Sequence, residues 1–436
     1  MSIKLLWKAL VLHTNAMLFS LYSFIAKGSV ILCLTSVARS QFVDWPSGPG
    51  QLLEPQQPDS ELTAIINQVD PARIEAIVEK LVSFGTRNTL SSQTNATRGI
   101  GAARDWIADQ MRTFAAASSG RMNVTVQTFR AASGSGVPQG TVLSNVFATL
   151  RGSQEPNRVY VVSGHYDSRN SDDNDPNGDA PGADDDASGV AVAMELARIM
   201  ATRQPKATLM FAAVAGEEQG LIGSAFMAQQ LKSAGVNVQG MLNNDIVGSS
   251  TAEDGVTKDP FDIRMFVQGI PTQTINASQI SSLVRAGGEN DSPIRQLGRF
   301  VAEVASNSVT NMTVQPVWRA DRFGRGGDHL SFIENGFPAN VRVQNGVQFG
   351  DLIQFCDFEY NARVAKVNGV ALWSLAQAPA AGYEVVWRAS DEPQWTHVLP
   401  VGKVDRATVQ LSHDNAQFGV RAVGSNGFRS PAGFPS

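Results

Sequence analysis

Four groups of acidic or imidazole side chains lie between residues 165 and 245, each near the end of a predicted strand. They are His165 with Asp167, the triplet Asp184–Asp186, the pair Glu217–Glu218, and Asp245. Imidazole and carboxylate groups are ligands that suit zinc. A carboxylate that binds no metal can accept a proton from a water molecule. The set therefore predicts a hydrolase with a pair of metal ions, which in such enzymes lie about 3.5–4 Å apart.

Three predicted strands are expected to bring these groups together. The apolar runs, each with the groups that follow it, are Val159–Val162 with His165, Ala207–Val214 with Glu217 and Glu218, and Val238–Asn244 with Asp245. In open α/β sheets, ligands bind in the crevice beyond the carboxyl ends of the strands, so these ends should converge. Adjacent side chains at a strand end point in different directions, so one of Glu217 and Glu218 can bind metal while the other acts as base. Asp167 can accept the second ring N–H of His165.

The acidic triplet is expected in a tight loop that leads into a helix. Gly182 and Gly189 bracket it, and small and apolar residues at helical spacing run from Ser188 to Ala197. Ser188 is predicted to be the N-cap of this helix. Backbone N–H groups at the helix N-terminus can then stabilise the carboxylates.

Each group also has an ordinary structural explanation. A single histidine after a strand is more often a hydrogen-bonded structural residue, a Glu-Glu pair more often begins a solvated helix, and an Asp-rich loop is usually a soluble turn. Taken alone, each pattern favours that explanation. Their joint occurrence in order, at strand ends between His165 and Asp245, favours a metal site.

Four segments resemble those of the secreted co-catalytic zinc aminopeptidases, a family related to bacterial leucyl aminopeptidases, glutamate carboxypeptidases and glutaminyl cyclases. The segments are Ser163–Ser168, Gly182–Gly189, Gly216–Ser224 and Asn243–Asp245, and the resemblance extends from about Leu62 to Ala378. It implies that His165 and Asp245 hold one zinc ion, that Asp185 bridges two ions, and that Glu218 holds the second ion. It further implies that Glu217 is the general base, that Asp167 orients His165, and that a cis peptide joins Asp185 to Asp186.

The last histidine ligand of the family is missing from this sequence. Gly327–Ala339 resembles the segment that precedes that ligand, but it runs directly into Asn340–Asp351, which resembles the part that follows it. His329 is expected to lie near the site without binding metal. The second zinc site is therefore expected to be impaired. Dropped coding segments and an evolved loss of catalysis are the two explanations.

The resemblance implies an exopeptidase, most simply an aminopeptidase that acts on peptide or protein substrates with a free N-terminus. The reaction would use a metal-activated water with Glu217 as the base. A binding protein without catalysis on the same fold is one alternative, and a glutaminyl cyclase is another. Whether an aminopeptidase or a carboxypeptidase pocket surrounds the metals stays open.

Composition and the N-terminal segment favour a secreted, extracellular protein. The net charge of −5 gives no basic surface for nucleic acid. Residues 1–40 are predicted to be a secretory leader, since Lys27–Ser29 interrupts the apolar run, and stable membrane association is expected only if the leader is retained. Glycosylation is predicted at the sequons of Asn95, Asn123, Asn276 and Asn311. Cys356 is expected to be a lone thiol without a chemical role.

The order of predicted elements indicates a three-layer α/β/α sandwich with a mixed central sheet over residues 61–378. Helices are predicted at Pro71–Leu81, Ile100–Ala116, Ile294–Ala305 and Phe358–Ala376, with a linker at 41–60. The tail, 383–436, is predicted to be all β, with strands at Tyr383–Arg388, Ala407–Leu411 and Phe418–Val423. These resemble the second half of a fibronectin type III module. Half a sandwich leaves strand edges unpaired, so the tail should be weakly stable unless it docks on the larger domain.

Overall fold

In a computed structural model of the chain, a mixed β-sheet flanked by helices carries the predicted metal ligands. The structure describes residues 48–251, 256–270, 275–285, 288–321, 326–343, 351–378 and 381–434. The predicted leader, residues 1–40, lies outside the described residues. The described strands are β1 (Gln51–Leu52), β2 (Met122–Arg130), β3 (Val142–Leu150), β4 (Glu155–His165), β5 (Ala207–Val214), β6 (Asn237–Asn244), β7 (Asp262–Phe266), β8 (Thr313–Val317), β9 (Ala339–Val343), β10 (Gly382–Ala389), β11 (His397–Gly402) and β12 (Ala416–Val423).

The helices confirm the predicted α/β alternation. They are α1 (Ser60–Ile66), α2 (Pro71–Val82), α3 (Ile100–Ala116), α4 (Ser188–Met200), α5 (Ile222–Ser233), α6 (Ala277–Arg285), α7 (Pro293–Ala305), α8 (His329–Glu334) and α9 (Phe358–Gln377). In α2, the Asp70 side chain accepts a hydrogen bond from the Ala72 amide and caps the helix. The predicted apolar face of α2 is buried, so burial of one face holds this helix in place.

The main sheet has the order β2-β3-β5-β4-β6-β9-β7-β8 within the described residues. Strands β5, β4, β6 and β9 are parallel neighbours, whereas β2, β3 and β7 introduce antiparallel pairs, which confirms the predicted mixed sheet. Helices α4 and α9 pack on one face, and α5 and α8 pack on the other. The three-layer sandwich predicted from the sequence is therefore present.

This topology explains why distant parts of the chain meet at one point. Strand β4 lies between β5 and β6 and is parallel to both, so all three carboxyl ends lie at the same edge. His165 is level with Val214 of β5, and Ser163 is level with Asn243 of β6. The residues that follow β5 and β6 therefore emerge beside His165.

The turn before α4 differs from the prediction in its cap. Residues Ala183–Ala187 form a wide turn of the π-helical type, which follows a left-handed Gly182 and contains a cis peptide between Asp185 and Asp186. Ser188 is the first residue of α4, and Ala187 is the N-cap, without a side-chain capping bond. The N-cap prediction for Ser188 was therefore wrong. Its hydroxyl instead donates to the carbonyl oxygen of Asp184 at 2.7 Å, because the wide turn brings that carbonyl within reach.

Close backbone contact of α4 with β4 and with the end of β6 depends on two glycines. A Cβ atom on Gly164 would lie 2.4 Å from the carbonyl carbon of Gly189, and one on Gly189 would lie 2.4 Å from the carbonyl oxygen of Asn244. Any side chain at either position would force the strand and the helix apart. The glycines therefore let the acidic turn lie directly against the strand ends.

The tail forms a second sheet, with the order β1-β11-β10-β12. Strands β10 and β12 confirm two of the predicted tail strands, but Ala407–Leu411 is not a strand, and His397–Gly402 provides the third instead. Part of the predicted linker is also a strand, because Gln51 and Leu52 of β1 pair with Val398 and His397. Interrupted apolar residues and prolines hid both pairings from sequence reasoning. The likeness to a fibronectin type III half stays a prediction.

Side chains of the tail and of the segment that follows β1 contact α7 and α9. The Trp395 indole N–H donates to Gln296 Oε1 at 3.1 Å, and Arg421 Nη1 donates to Glu303 Oε1 at 3.0 Å. The Gln56 amide donates to the Ser374 hydroxyl at 3.0 Å. The described residues, from 48 to 434, accordingly form one compact unit. None of the described helices is long and apolar enough to cross a membrane.

Candidate metal centre

Three of the predicted ligands converge at the carboxyl ends of β4 and β6. One ligand atom from each of His165, Asp185 and Asp245 lies within 4.8 Å of the other two. His165 Nε2 lies 3.0 Å from Asp185 Oδ1, yet it is buried and makes no hydrogen bond of acceptable geometry. Two ligand atoms at about 2.0–2.2 Å from one ion lie roughly this far apart. The donor set and the orphaned imidazole nitrogen therefore fit a zinc ion.

The other ring nitrogen of His165 is held by Asp167. Nδ1 lies 3.1 Å from the backbone oxygen of Asp167 and 3.5 Å from its carboxylate Oδ1. The predicted residue is in place, but the shorter contact is with its backbone carbonyl. This contact orients the ring so that Nε2 points towards Asp185.

The carboxylate of Asp167 organises the Glu-Glu pair. It accepts hydrogen bonds from the backbone N–H groups of Glu217 and Glu218, each at 3.2 Å. Asp167 is fully buried, so these bonds provide partners that the carboxylate would otherwise lack. One residue therefore links the end of β4 to the loop that follows β5.

The three carboxylates of the triplet have different contacts. Asp185 faces His165 Nε2, as described above. Asp186 accepts from the backbone N–H of His165 and from that of Gly189, each at 2.9 Å. Asp184 accepts from the Gly248 N–H at 2.6 Å. The central carboxylate is thus presented to the ligand position, while its neighbours attach the turn to β4, α4 and the loop after β6.

Burial makes these carboxyl groups harder to ionise. It raises the pKa of Asp184 to about 7 and raises that of Asp186 well above its usual range. Neighbouring carboxylates add to the rise in both cases, whereas His165 lowers the pKa of Asp186. A cation at the centre would favour the ionised forms, so metal binding and carboxylate ionisation should be coupled.

Two residues that sequence reasoning missed hold the acidic turn from outside. Asp351 Oδ1 accepts from the backbone N–H of Asp184 at 2.5 Å and from that of Asp185 at 3.2 Å. The buried guanidinium of Arg87 donates to the carbonyl oxygens of Tyr166, Pro181 and Gly182, at 2.7, 2.6 and 2.8 Å. Both residues lie far from the acidic triplet in sequence, so no local sequence pattern predicts their contacts with it.

Glu217, the predicted general base, lines the same cavity as Asp185 and Asp245. Burial is the largest cause that raises its pKa well above the usual range, and Asp245 and Asp328 add to the rise, whereas His165 lowers it. A carboxylate whose pKa is raised towards neutrality can accept a proton more readily. Its placement therefore suits the predicted role.

Glu218, the predicted ligand of the second zinc ion, has a different partner. Its Oε2 atom lies 2.6 Å from Arg169 Nε, and the carboxylate is not among the described groups that converge on a metal position. Burial raises the pKa of Glu218 to about 9, with Asp185 adding to the rise, although Arg169 lowers it. The structure thus brings Glu218 into the cavity but pairs it with a guanidinium.

His329 is the histidine closest in sequence to the position at which the family resemblance implies a further ligand. His329 is buried at the start of α8, and its Nε2 contacts the carbonyl oxygen of Ala320 at 2.9 Å. It does not belong to the metal-binding group found among the described residues. The junction of Ala339 with Asn340 lies within β9.

Known proteins resemble this chain in sequence or in fold. Residues 145–345 match the model of peptidase family M28. A probable zinc metalloprotease of Pyrenophora teres f. teres is 50% identical over 434 residues, covering 89% of this chain and 90% of the relative. LapB of Legionella pneumophila has a TM-score of 0.55 at 19% identity, covering 75% of this chain and 78% of its own. The LapA aminopeptidase of the same organism has a TM-score of 0.54 at 16% identity, covering 73% of this chain and 74% of its own.

The fold and the converging ligands define a metal-dependent hydrolase. The extent of the match to the Pyrenophora relative identifies the family. The chain belongs to peptidase family M28 and is a zinc metallopeptidase. The two Legionella structures show that the fold is shared at low sequence identity.

Proposed function

We propose that the chain is a secreted zinc exopeptidase of the aminopeptidase type, which hydrolyses the N-terminal bond of peptide or protein substrates. The observation that carries this proposal is the convergence of His165, Asp185 and Asp245 beside the buried Glu217 in one cavity. Catalytic zinc sites use three protein ligands and keep one position open for water or substrate. These three side chains meet that requirement for one ion.

A zinc ion held by His165, Asp185 and Asp245 would lower the pKa of water and polarise the substrate carbonyl. The Glu217 carboxylate accepts the water proton and can later pass it to the leaving amine. Asp167 keeps the Glu217 backbone in place and orients the His165 ring. Each protein group therefore has a role that its contacts support.

The shape and charge of the cavity support a substrate with a free N-terminus. The cavity has a volume of about 520 Å³, and of its twelve described lining residues six are acidic and one, Arg169, is basic. A protonated α-amino group would be attracted to such a surface, whereas the carboxylate terminus of a peptide would be repelled. The name of the LapA aminopeptidase agrees with this choice.

Secretion rests on the predicted leader and on the sequons. All four predicted glycosylation sites, Asn95, Asn123, Asn276 and Asn311, are exposed, as an acceptor must be. Treatment of the secreted protein with an endoglycosidase should lower its apparent mass. No shift in mass, or retention of the protein inside the host cell, would contradict this part of the proposal.

We propose that the second zinc site is impaired, because the sequence lacks the histidine that the family resemblance implies beside Glu218. The match to the Pyrenophora relative extends over 434 residues, but it includes only 89% of this 436-residue chain. It therefore contains positions at which the relative has a residue and this chain has none. This supports the loss of internal segments. Sequencing of the transcript across the codons for Ala339–Asn340, and for Ala381–Gly382, where the first strands of a fibronectin type III module would be lacking, separates dropped coding segments from an evolved loss. Uninterrupted reads favour the latter.

Hydrolysis of aminoacyl chromogenic substrates tests the proposed activity. Glu217→Gln should lower kcat by about 10²–10⁴-fold with its zinc content unchanged, because it removes the proton acceptor but no zinc ligand. Glu79→Gln, on the exposed face of α2, is the matched control and should keep full activity. N-blocked dipeptides should not be cleaved. Turnover that does not depend on Glu217, or no turnover at all, would favour a binding protein, and cleavage of blocked substrates would exclude an aminopeptidase.

A further inference from the structure

The loop after β4 places a guanidinium beside the predicted ligand of the second metal ion. Arg169 Nε lies 2.6 Å from Glu218 Oε2, which is the length of a charge-assisted hydrogen bond. A terminal nitrogen of Arg169 also contacts the carboxylate of Asp173. The Glu218 side chain is 9% exposed and that of Arg169 is 36% exposed. The carboxylate of Glu218 is therefore the more buried partner of the pair.

The backbone around Arg169 is anchored on both sides of the loop. Ser168, the preceding residue, donates its hydroxyl to the carbonyl oxygen of Ala180 at 2.7 Å and its N–H to that of Arg87 at 3.3 Å. Asp173 carries its own contact to the guanidinium, and its carbonyl oxygen accepts from the Asn88 amide at 2.9 Å. Arg169 is therefore held over Glu218 by a braced loop.

Electrostatics explains why a cation is needed at this position. Arg169 is the one basic residue among the described residues that line the cavity. The Glu218 side chain is 9% exposed, and five other acidic residues line the same cavity within the described residues. A buried carboxylate without a compensating charge is costly, and a guanidinium offers a fixed positive charge with matching donor geometry.

Ligand chemistry explains why that cation is not a metal ion. Zinc in proteins is held by three or four nitrogen, sulfur or oxygen ligands. Among the described histidines outside the centre, His329 contacts the Ala320 carbonyl, and His397 and His413 belong to the tail. Glu218 therefore lacks an imidazole partner within the described residues.

We infer that Arg169 takes the place of the second metal ion, so that the chain binds a single zinc ion at His165, Asp185 and Asp245 while Glu218 is the ion-pair partner of Arg169. This inference rests on the proposed zinc site. Asp185 is then a terminal ligand of one ion and not a bridge. Arg169 is a positioning residue, which acts on the cavity through Glu218.

The inference is tested by titration of the full chain with zinc, monitored by calorimetry, together with metal analysis of the purified protein. The wild type should bind one zinc ion per chain. Arg169→Met should expose the charge of Glu218 and raise the affinity for a second, weaker zinc ion by about tenfold or more, because it removes a competing cation. Arg169→Lys should keep the wild-type stoichiometry. Arg112→Met is the matched control, since Arg112 pairs with the exposed Asp109 on α3.

Two further variants separate the possible failures. Glu218→Gln should leave tight binding of the single ion within about threefold of the wild type, whereas His165→Ala should abolish it. Two tight zinc ions in the wild type, of which one is lost in Glu218→Gln, would overturn the inference but keep the zinc site of the proposed function. Wild-type behaviour of Arg169→Met would also overturn it. No tight zinc in the wild type, or tight zinc in His165→Ala, would overturn the proposed site itself and the inference with it.

Discussion

Single residues in this protein differ in function because their surroundings differ, although many are chemically alike. His165 ends strand β4, His329 begins helix α8, and both imidazoles are buried. Carboxylates surround His165 and raise its pKa well above the usual range, despite the opposite effect of burial. Burial dominates at His329 and lowers its pKa to about 4, although the Ala320 carbonyl and Asp321 oppose that change. The negative surroundings of His165 favour a positive charge at its ring, whereas burial keeps the His329 ring neutral.

The neutral state of His329 predicts a loss of stability in acid. Its pKa is about 4 in the folded chain and about 6.5 when unfolded, so the unfolded chain binds more protons between these values. The contribution to stability is complete above pH 6.5 and is lost as the pH falls towards 4. The difference amounts to roughly 3 kcal/mol at most.

Urea unfolding from pH 7 to pH 4, with a zinc chelator present, measures this effect. His329→Gln keeps a donor for the Ala320 carbonyl but does not titrate, so its free energy of unfolding should fall less steeply with acid. His413→Gln, at a side chain that is 90% exposed, is the control. Parallel pH curves for His329→Gln and the wild type would contradict the prediction.

Among the structural elements, the turn before α4 does most to define the centre. It is attached to β4 through Asp186, to the loop after β6 through Asp184, and to Asp351 through two backbone N–H groups. A turn with so many fixed points presents Asp185 in one orientation. Its geometry therefore depends on residues from several distant segments.

Removal of the Asp351 acceptor should weaken zinc binding. Asp351→Leu leaves the N–H groups of Asp184 and Asp185 without their partner, and loss of such a support typically costs about 10–100-fold in metal affinity. Asp351→Asn keeps a side-chain oxygen at the same position and should stay within about threefold of the wild type. Competition with a chromogenic zinc chelator measures both. Equal affinities in Asp351→Leu and Asp351→Asn would show that Asp351 does not position the turn.

In the whole molecule, the tail is joined to helix α7 of the larger domain by buried polar and aromatic contacts. Trp395 is 7% exposed and reaches Gln296 of α7, while Arg299 Nε of the same helix donates to the Pro393 carbonyl at 2.7 Å. Strand β1 pairs with one edge of the tail sheet, and a bridge between Val420 and Gly433 covers β12. The edges of the predicted half sandwich are thus partly covered, which reduces the instability expected for it.

Such docking predicts that the tail unfolds together with the rest of the chain. Trp395→Ala should lower the free energy of unfolding by about 3–5 kcal/mol in a single transition, because it leaves a cavity between the tail and α7. Val404→Ala, at a residue of the same tail that is 42% exposed, should change it by less than about 0.5 kcal/mol. Chemical denaturation followed by circular dichroism measures both. Two separate transitions, with only the weaker one shifted by Trp395→Ala, would show an independent tail.

The local sequence determined the parts of this protein that depend on neighbouring residues along the chain. Apolar runs and their periodicity predicted the site strands and the long helices, since burial of one face is encoded within a few turns. The acidic and imidazole residues at the strand ends predicted a metal centre, because parallel strands end at one edge. The tail strand at Ala407–Leu411 and the N-cap at Ser188 were wrong, as both depend on pairing or turn geometry.

Only the tertiary structure decided which partner each side chain meets. Asp351 and Arg87 support the acidic turn, Arg169 pairs with Glu218, and β1 joins the tail sheet. All of these contacts join segments that are distant in sequence or depend on how a loop folds back. The type of a residue fixes its charge and its hydrogen-bonding groups. The free energy of each interaction also depends on burial and distance, which only the folded chain determines.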